Sequence, residues 1–232
     1  MKIRLRQVAL VAADLAAVER DIESSLGVEL CFRDPGVGHF GLVNALYPIG
    51  DKLLEVVSPT QEGTTVGRLL DKRGGDGGYM VIFQVDDLGE MRRRLADADA
   101  RVVFEAEAEG VTGLHIHPRD VGGAIVSVDE TDDWGAWPWA GPTWQSSVRT
   151  DVVTDIAAVE IHAGDPEAMA HRWASVLGGT LEGTTLAFDE GSIRFTPAGE
   201  RGEGVAGIDL VSAGSAGDLD LCGTAVRLVP SG

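Results

Sequence analysis

Residues 3–27, IRLRQVALVAADLAAVERDIESSLG, carry the pattern that decides the fold. The run IRLRQVALVA favours a strand, and Asp14 is placed to cap a helix that ends at Gly27. The later segment DIAAVEIHAGDPEAMAHRWASVLGG repeats this order of strand, capping aspartate (Asp165), helix and glycine at the same spacing. A repeat of this kind predicts an α+β protein built from copies of one unit.

Each copy is predicted as one strand, one helix and three further strands, which is a βαβββ unit. In the first copy the strand candidates after the helix are residues 28–32, 39–48 and 52–58. The second copy has the strand YMVIFQV, the helix DLGEMRRRLADAD capped by Asp86 or Asp87, and three strands that end near Asp129. No helix follows the strand GVAGIDLV in the last copy, so we expect that copy to be truncated.

A segment rich in tryptophan separates the two halves. Residues 131–144, TDDWGAWPWAGPTW, hold four of the five tryptophans and two prolines, so they cannot continue either neighbouring element. We therefore predict a complete domain at residues 1–130, a junction at 131–144, and a smaller, incomplete domain at 145–232.

Composition excludes several classes of protein. With 37 acidic and 19 basic side chains the formal charge is −18, which repels polyanions and argues against nucleic acid and anionic membranes as partners. No run approaches about 20 apolar residues, so we expect a cytoplasmic protein without a membrane span. Cys31 and Cys222 lie far apart, which predicts neither a zinc site nor a disulfide framework.

Four stretches carry a resemblance to a known family. They are QVALVAADL, LYPIGDKLLEVVSP, GGYMVIFQVDDL and HPRDVGGAIVSVDE, and they occur in the order found in the vicinal oxygen chelate superfamily. That superfamily includes glyoxalase I, extradiol dioxygenases, bleomycin-resistance proteins and methylmalonyl-CoA epimerase, and residues 1–130 are most similar to the epimerase branch. The resemblance implies that paired units curl into a cup that holds a ligand and, in most members, a metal ion.

Carried over by the resemblance, the metal-ligand positions are Gln7, Glu55, Met80 and Ser127. Among these only Glu55 is a good ligand, because a thioether and a neutral hydroxyl are poor donors for hard or borderline divalent ions. We therefore expect no metal and no cofactor in the first cup. This departs from the family's mechanism, in which the metal polarises the oxygens of the substrate.

Strand alternation places further residues on the faces of the matched positions. They are Gln84 and the apolar residues Ala9, Val11, Leu53, Val57, Ile82 and Ile125. Such a lining suits an organic ligand held by shape, with Gln7, Gln84, Ser127 and Glu55 fixing its orientation and Met80 as a further substrate-binding residue. A carboxylate among apolar and neutral groups has a raised pKa, which suits Glu55 to act as a general base. The alternative is that Glu55 lies at a solvated rim. His115 stays a candidate ligand-binding residue of undecided face, and His117 is predicted to make a structural hydrogen bond in its hairpin.

The second half offers one weaker candidate. Glu160 and His162 share a strand face and could transfer protons, but the strand SIRFTPA adds no ligand if Ile193 and Phe195 lie on its inner face. Basic residues in a glycine-rich loop (Lys72, Arg73) and on a helix (Arg92, Arg93, Arg94) could anchor phosphates of an acyl-CoA. A solvated surface is the favoured interpretation.

Two classes of function remain. The first is a metal-independent isomerase, epimerase or lyase that acts on a small organic acid or its CoA thioester, with Glu55 as base and Gln7 or Ser127 holding the carbonyl. The second is a non-catalytic protein that sequesters or senses a small apolar molecule. The similarity to the epimerase branch favours the enzyme, and a homodimer is left open.

Overall fold

The computed structural model describes residues 1–230. Over that range the helices are α1 (Leu15–Leu26), α2 (Thr65–Arg73), α3 (Leu88–Asp97), α4 (Pro118–Val121) and α5 (Pro166–Leu177), with 3₁₀ segments at Pro35–Phe40, Pro138–Ala140 and Trp144–Ser147. The first seven strands are β1 (Ile3–Val11), β2 (Leu42–Ile49), β3 (Lys52–Pro59), β4 (Gly77–Val85), β5 (Val102–Ala108), β6 (Val111–Ile116) and β7 (Ile125–Thr131). The others are β8 (Val153–Ala163), β9 (Thr180–Glu182), β10 (Thr185–Ala187), β11 (Ser192–Pro197), β12 (Gly204–Ser212), β13 (Gly217–Leu221) and β14 (Thr224–Pro230).

The strands form two mixed sheets of seven strands each, which confirms the α+β class and the repeated unit. The first sheet has the order β2-β3-β1-β4-β7-β6-β5, and the second has the order β13-β14-β12-β8-β11-β10-β9. The first strand of each copy pairs in parallel with the last strand of the same copy: β1 with β3, β4 with β7, β8 with β11 and β12 with β14. The fourth copy, β12 to β14, lacks the helix over the described residues, as expected.

Local sequence explains why the helices begin where they do. The Asp14 carboxylate accepts a hydrogen bond from the Ala17 N–H at 3.1 Å, and Asp165 accepts one from the Ala168 N–H at 3.0 Å. Of the two candidates for α3, Asp87 is the cap. These side chains satisfy N–H groups that have no partner inside the helix.

Two predicted local structures are wrong. Residues 28–32 form no strand, because only Phe32 makes a single bridge to Leu46 before Asp34 and Pro35 start a 3₁₀ segment. Lys72 and Arg73 lie at the end of α2 and not in a loop. The sequence of α2 is a weak helix former, and the helix is stabilised by packing of its apolar face.

The contacts divide the chain into two compact units. Within the described residues, unit 1 comprises residues 1–6, 80–138 and 158–205, and unit 2 comprises residues 7–79, 139–157 and 206–230. In unit 1 the Phe83 ring packs edge-on against Trp173, with ring centroids 6.3 Å apart. In unit 2 the buried Lys52 ammonium lies 2.6 Å from Asp155. Each unit thus draws strands from both sheets, and the domain boundaries at 130 and 145 stay a prediction.

No helix within residues 1–230 is both long and apolar enough to cross a bilayer.

Candidate functional site

Three polar side chains meet on one face of the first sheet within unit 2. Partners in a ladder share a face, and β1 pairs Ala9 with Glu55 and Gln7 with Leu53. Gln7 and Glu55 therefore lie on the same side. On β2 the same rule adds Asn44, whose partner is Val57. We call Gln7, Asn44 and Glu55 the Glu55 cluster.

Both carboxylate oxygens of Glu55 accept a hydrogen bond from a carboxamide. Gln7 Nε2 donates to Oε2 at 2.8 Å, and Asn44 Nδ2 donates to Oε1 at 2.7 Å. The Asp34 N–H donates to Asn44 Oδ1 at 2.8 Å, which fixes the orientation of that amide. Glu55 is 8% exposed, so it does not lie at a solvated rim.

Burial raises the pKa of Glu55 above its ordinary value, because desolvation disfavours the charged form. The hydrogen bonds from Asn44 and Gln7 act in the opposite direction, and the negative charge of Asp34 raises the pKa further. Glu55 is therefore a desolvated carboxyl group that neutral donors hold in place. That is the environment that suits a general base near neutral pH.

An apolar cluster continues the same face beyond Glu55. Val57 and Val11 are ladder partners on that face, and α2 packs its buried side over them. We call this set the apolar wall, and its buried members are Val11, Leu42, Val57, Val66 and Leu70. Val37, Leu69 and Tyr79 are half-buried against it. The pKa of Tyr79 is raised by burial and by the charge of Glu55, so its hydroxyl stays protonated near that carboxyl group.

The remaining predicted site residues of the first half lie in unit 1. Pairing places Met80 opposite Ile125 and Ser127 opposite both Ile82 and His115, so His115 shares the face of Ser127. Ser127 is buried, and its hydroxyl donates to the carboxylate of Asp129. Asp129 lies beside Gly113, where any side chain would collide with its carboxylate.

Hydrogen bonds connect Gln84 of β4 to Arg4 of β1 and to Thr131 at the start of the tryptophan-rich junction. Its Oε1 accepts two hydrogen bonds from the buried Arg4 guanidinium, at 2.9 and 2.8 Å, while its Nε2 donates to Thr131 at 2.5 Å. Arg4 also donates to the Trp134 carbonyl at 2.7 Å and lies 4.5 Å from the Trp134 ring centroid. Arg6 lies 5.2 Å from the ring centroid of Trp137. In unit 1 the first tryptophans of the junction thus pack on arginines of β1.

The two histidines of the hairpin behave differently. Burial lowers the pKa of His115 to about 4, and its ring packs edge-on against Phe104 with centroids 5.2 Å apart. His115 is therefore neutral at physiological pH. His117 caps α4 by accepting a hydrogen bond from the Arg119 N–H at 3.1 Å, which is a structural role within the hairpin.

The residues at the metal positions of the superfamily do not fit a divalent ion. Gln7 turns its amide nitrogen toward Glu55, Met80 offers a thioether, and Ser127 donates its proton to Asp129. Among residues 1–230 no three His, Cys, Asp or Glu side chains are grouped so that they could hold a metal ion.

In the second sheet, Glu160 lies beside Arg194 and His162. Arg194 Nη2 is 3.0 Å from Glu160 Oε2, and His162 Nε2 is 3.5 Å from Oε1. The prediction that Ile193 and Phe195 share this face is wrong, because pairing places Arg194 opposite Glu160. Phe195 instead packs against Trp173 of α5, which covers the other face.

Sequence reasoning missed Asn44, Tyr79 and Asp129. For Asn44 a signal existed, since it lies two residues from Leu46 in a strand and alternation places both on the Glu55 face. Tyr79 was passed over because the matched position, Met80, is its neighbour. The short distance from Ser127 to Asp129 along β7 was the signal for the third.

Comparison with known proteins gives the family. A model described as a glyoxalase-like domain matches residues 8–177. The ethylmalonyl-CoA/methylmalonyl-CoA epimerase of Cereibacter sphaeroides is 28% identical over 131 residues, which is 55% of this chain and 97% of that protein.

Two solved structures extend the comparison to the fold. A variant of Streptomyces coelicolor methylmalonyl-CoA epimerase in complex with 2-nitronate-propionyl-CoA has a TM-score of 0.50 at 21% identity, over 56% of this chain and 98% of that one. A hypothetical protein from Staphylococcus aureus has a TM-score of 0.74 at 13% identity and covers 100% of both chains. The first likeness is confined to part of the chain, and the second extends the same fold to both halves.

Proposed function

We propose that this chain, which belongs to the glyoxalase-like domain family, is a metal-independent isomerase, epimerase or lyase that acts on a small organic acid or its CoA thioester. Glu55 is the proposed general base. The observation that carries the proposal is a buried carboxylate held on both oxygens by carboxamides, on the sheet face that the resemblance assigns to the ligand. The Cereibacter sphaeroides relative is named as an epimerase of acyl-CoA thioesters, which supports a CoA thioester as the substrate of this chain.

The proposed step is proton transfer at the carbon next to a carbonyl group. The C–H bond breaks, its proton goes to Glu55, and the electron pair enters an enolate whose oxygen carries the developing charge. Asn44 has two N–H groups on its amide nitrogen and gives one to Glu55, so the same amide is placed to hold the substrate oxygen by a neutral hydrogen bond. Protonation of the enolate by solvent on the face opposite Glu55 gives epimerisation, and Glu55 then releases its proton to solvent. Departure of a β-substituent with its bonding electrons instead gives a lyase reaction.

Exchange of the substrate α-proton tests this proposal directly. Methylmalonyl and 3-oxoacyl thioesters are incubated in D₂O with the purified protein, and loss of the α-proton signal is followed by NMR. Glu55→Gln keeps the volume and removes the base, so the exchange rate is expected to fall about 10²-fold or more while ligand binding changes little. Glu107→Gln changes an exposed carboxylate on β5 and serves as the matched control. Equal exchange rates for the wild type and Glu55→Gln would refute the role of Glu55.

A non-catalytic binding protein is the second candidate. Ser127 and Gln84, which are expected to orient a ligand, are already hydrogen-bonded within the protein, and this observation favours the second candidate. Ser127 bonds Asp129, and Gln84 bonds Arg4 and Thr131. On this alternative the wild type binds thioesters or apolar acids in calorimetry but exchanges no α-proton, and Glu55→Gln leaves both results unchanged.

A further inference from the structure

We infer that the ligand brings an uncharged, apolar acyl group to Glu55, of the 2-alkyl-3-oxoacyl thioester class, and that the site disfavours a second carboxylate on that group. The inference rests on the proposed function, because it assumes that Glu55 receives the α-proton. It narrows the substrate class and departs from the malonyl-type substrate in the name of the Cereibacter sphaeroides relative.

The apolar wall adjoins Glu55 on the same face of the first sheet. Val57 and Val11 follow Glu55 and Ala9 on the same sheet face, and Val66 and Leu70 of α2 lie over them. An alkyl substituent gains from contact with Val37, Leu69 and Tyr79, the half-buried residues at the edge of this wall, whereas a carboxylate placed there loses its hydration without a partner.

The charges near Glu55 also disfavour an acidic substituent. The two side chains that bond the Glu55 carboxylate are neutral amides, and the charged group that acts on its pKa is Asp34, which is negative. A second carboxylate would therefore meet two like charges. Like charges at close range in a desolvated site cost binding strongly.

Arg33 is a cation beside Asn44, and it is already paired. Its Nη1 donates to Glu19 Oε1 at 2.5 Å and to the Asn44 carbonyl at 3.2 Å. The Arg33 side chain is half-exposed and is bound by Glu19 of α1. A malonyl carboxylate that used Arg33 would have to compete with Glu19.

Two thioesters of equal size separate the classes. 2-Methyl-3-oxobutanoyl and methylmalonyl pantetheine differ mainly in a methyl ketone against a carboxylate. Each exchange rate in D₂O is divided by the uncatalysed rate under the same conditions, so that intrinsic acidity cancels. We expect the enhancement on the oxobutanoyl thioester to exceed that on the methylmalonyl thioester by about 10²-fold or more.

The second test of the substrate class introduces a positive charge beside the apolar wall. Leu69 is half-buried on α2, a position where an arginine is compatible with the helix. Leu69→Arg is expected to raise the enhancement on methylmalonyl pantetheine about tenfold relative to the oxobutanoyl thioester, and the neutral control Leu69→Gln is expected to leave the ratio unchanged.

The outcomes separate a failure of the inference about substrate class from a failure of the proposed function. If methylmalonyl pantetheine is the better substrate and Glu55→Gln abolishes its exchange, the inference about substrate class is wrong and the proposed function stands. If neither thioester exchanges above the uncatalysed rate, or if Glu55→Gln exchanges both as fast as the wild type, the proposed function fails and the inference fails with it.

Discussion

Replacing Asn44 with leucine should destabilise the protein more at alkaline than at acidic pH. The substitution keeps a similar volume but removes two hydrogen bonds, one from Asn44 to Glu55 at 2.7 Å and one from the Asp34 N–H at 2.8 Å. A bond to a charged group contributes about 1.5–3 kcal/mol and a neutral bond about 0.5–1.5 kcal/mol. The expected loss is therefore about 2–4.5 kcal/mol when Glu55 is ionised and about 1–3 kcal/mol when it is protonated.

The direction with pH follows from the raised pKa of Glu55. A carboxyl group whose pKa is higher in the folded than in the unfolded state costs stability as pH rises through the interval between the two values. Loss of the Asn44 donor raises the folded pKa further, so the variant should lose more stability than the wild type across that interval.

Chemical denaturation at about pH 5 and about pH 8.5 measures the difference, which should be about 1–1.5 kcal/mol larger at the higher pH. Asn44→Leu combined with Glu55→Gln is the control, because without the ionisable group the pH-dependent part should vanish. The reasoning is refuted if Asn44→Leu costs the same free energy at both pH values, or less at the higher one.

Three further results are expected. The pKa of His115 is about 4 in the folded protein, below its ordinary value, so the free energy of unfolding falls as the pH drops from the ordinary value toward 4. The melting temperature of His115→Gln should therefore fall less than that of the wild type between about pH 7 and pH 5. Arg172 donates to the carbonyls of Asp120 at 2.5 Å and Ala98 at 2.7 Å, and a single lysine ammonium cannot bond both. Arg172→Lys should therefore lower the melting temperature by about 4–8 °C in a thermal scan, and an unchanged value would contradict this. Residues 145–232 expressed alone should give no cooperative unfolding transition, since Trp173 packs on Phe83 and Asp155 pairs with Lys52, and a dispersed NMR spectrum of that fragment would overturn the expectation.

The parts of the fold that depend on local chemistry could be predicted from the sequence. Asp14 and Asp165 cap their helices because a cap involves only the next three residues. The helix α2 could not be predicted in the same way, since Gly67 weakens its intrinsic propensity and burial of Val66 and Leu70 stabilises it. Tertiary packing of that kind is not visible in a local pattern.

The candidate site likewise contains residues that the sequence could predict and residues that it could not. Glu55 was found because it keeps a polar side chain at a position assigned by the resemblance, whereas Asn44 was missed because its role depends on the register between β2 and β3. An error of one residue in register reverses a face, which is why Ile193 and Phe195 were placed opposite to where β11 carries them. Strand faces are decided by pairing, and a single strand read alone leaves them open.

The internal repeat gives a reason to place the chemistry on the first sheet. Ala9 and Glu160 are equivalent, since each precedes its capping aspartate by five residues, and their ladder partners are Glu55 and Arg194. In the second sheet this position forms an ion pair with its own neighbour, so its charge is balanced within the protein. In the first sheet the neighbour is an alanine, and the carboxylate is held by amides that leave its negative charge uncompensated. An uncompensated, buried carboxylate costs folding free energy, and the proposed role in proton transfer would account for its presence where a balanced pair would not.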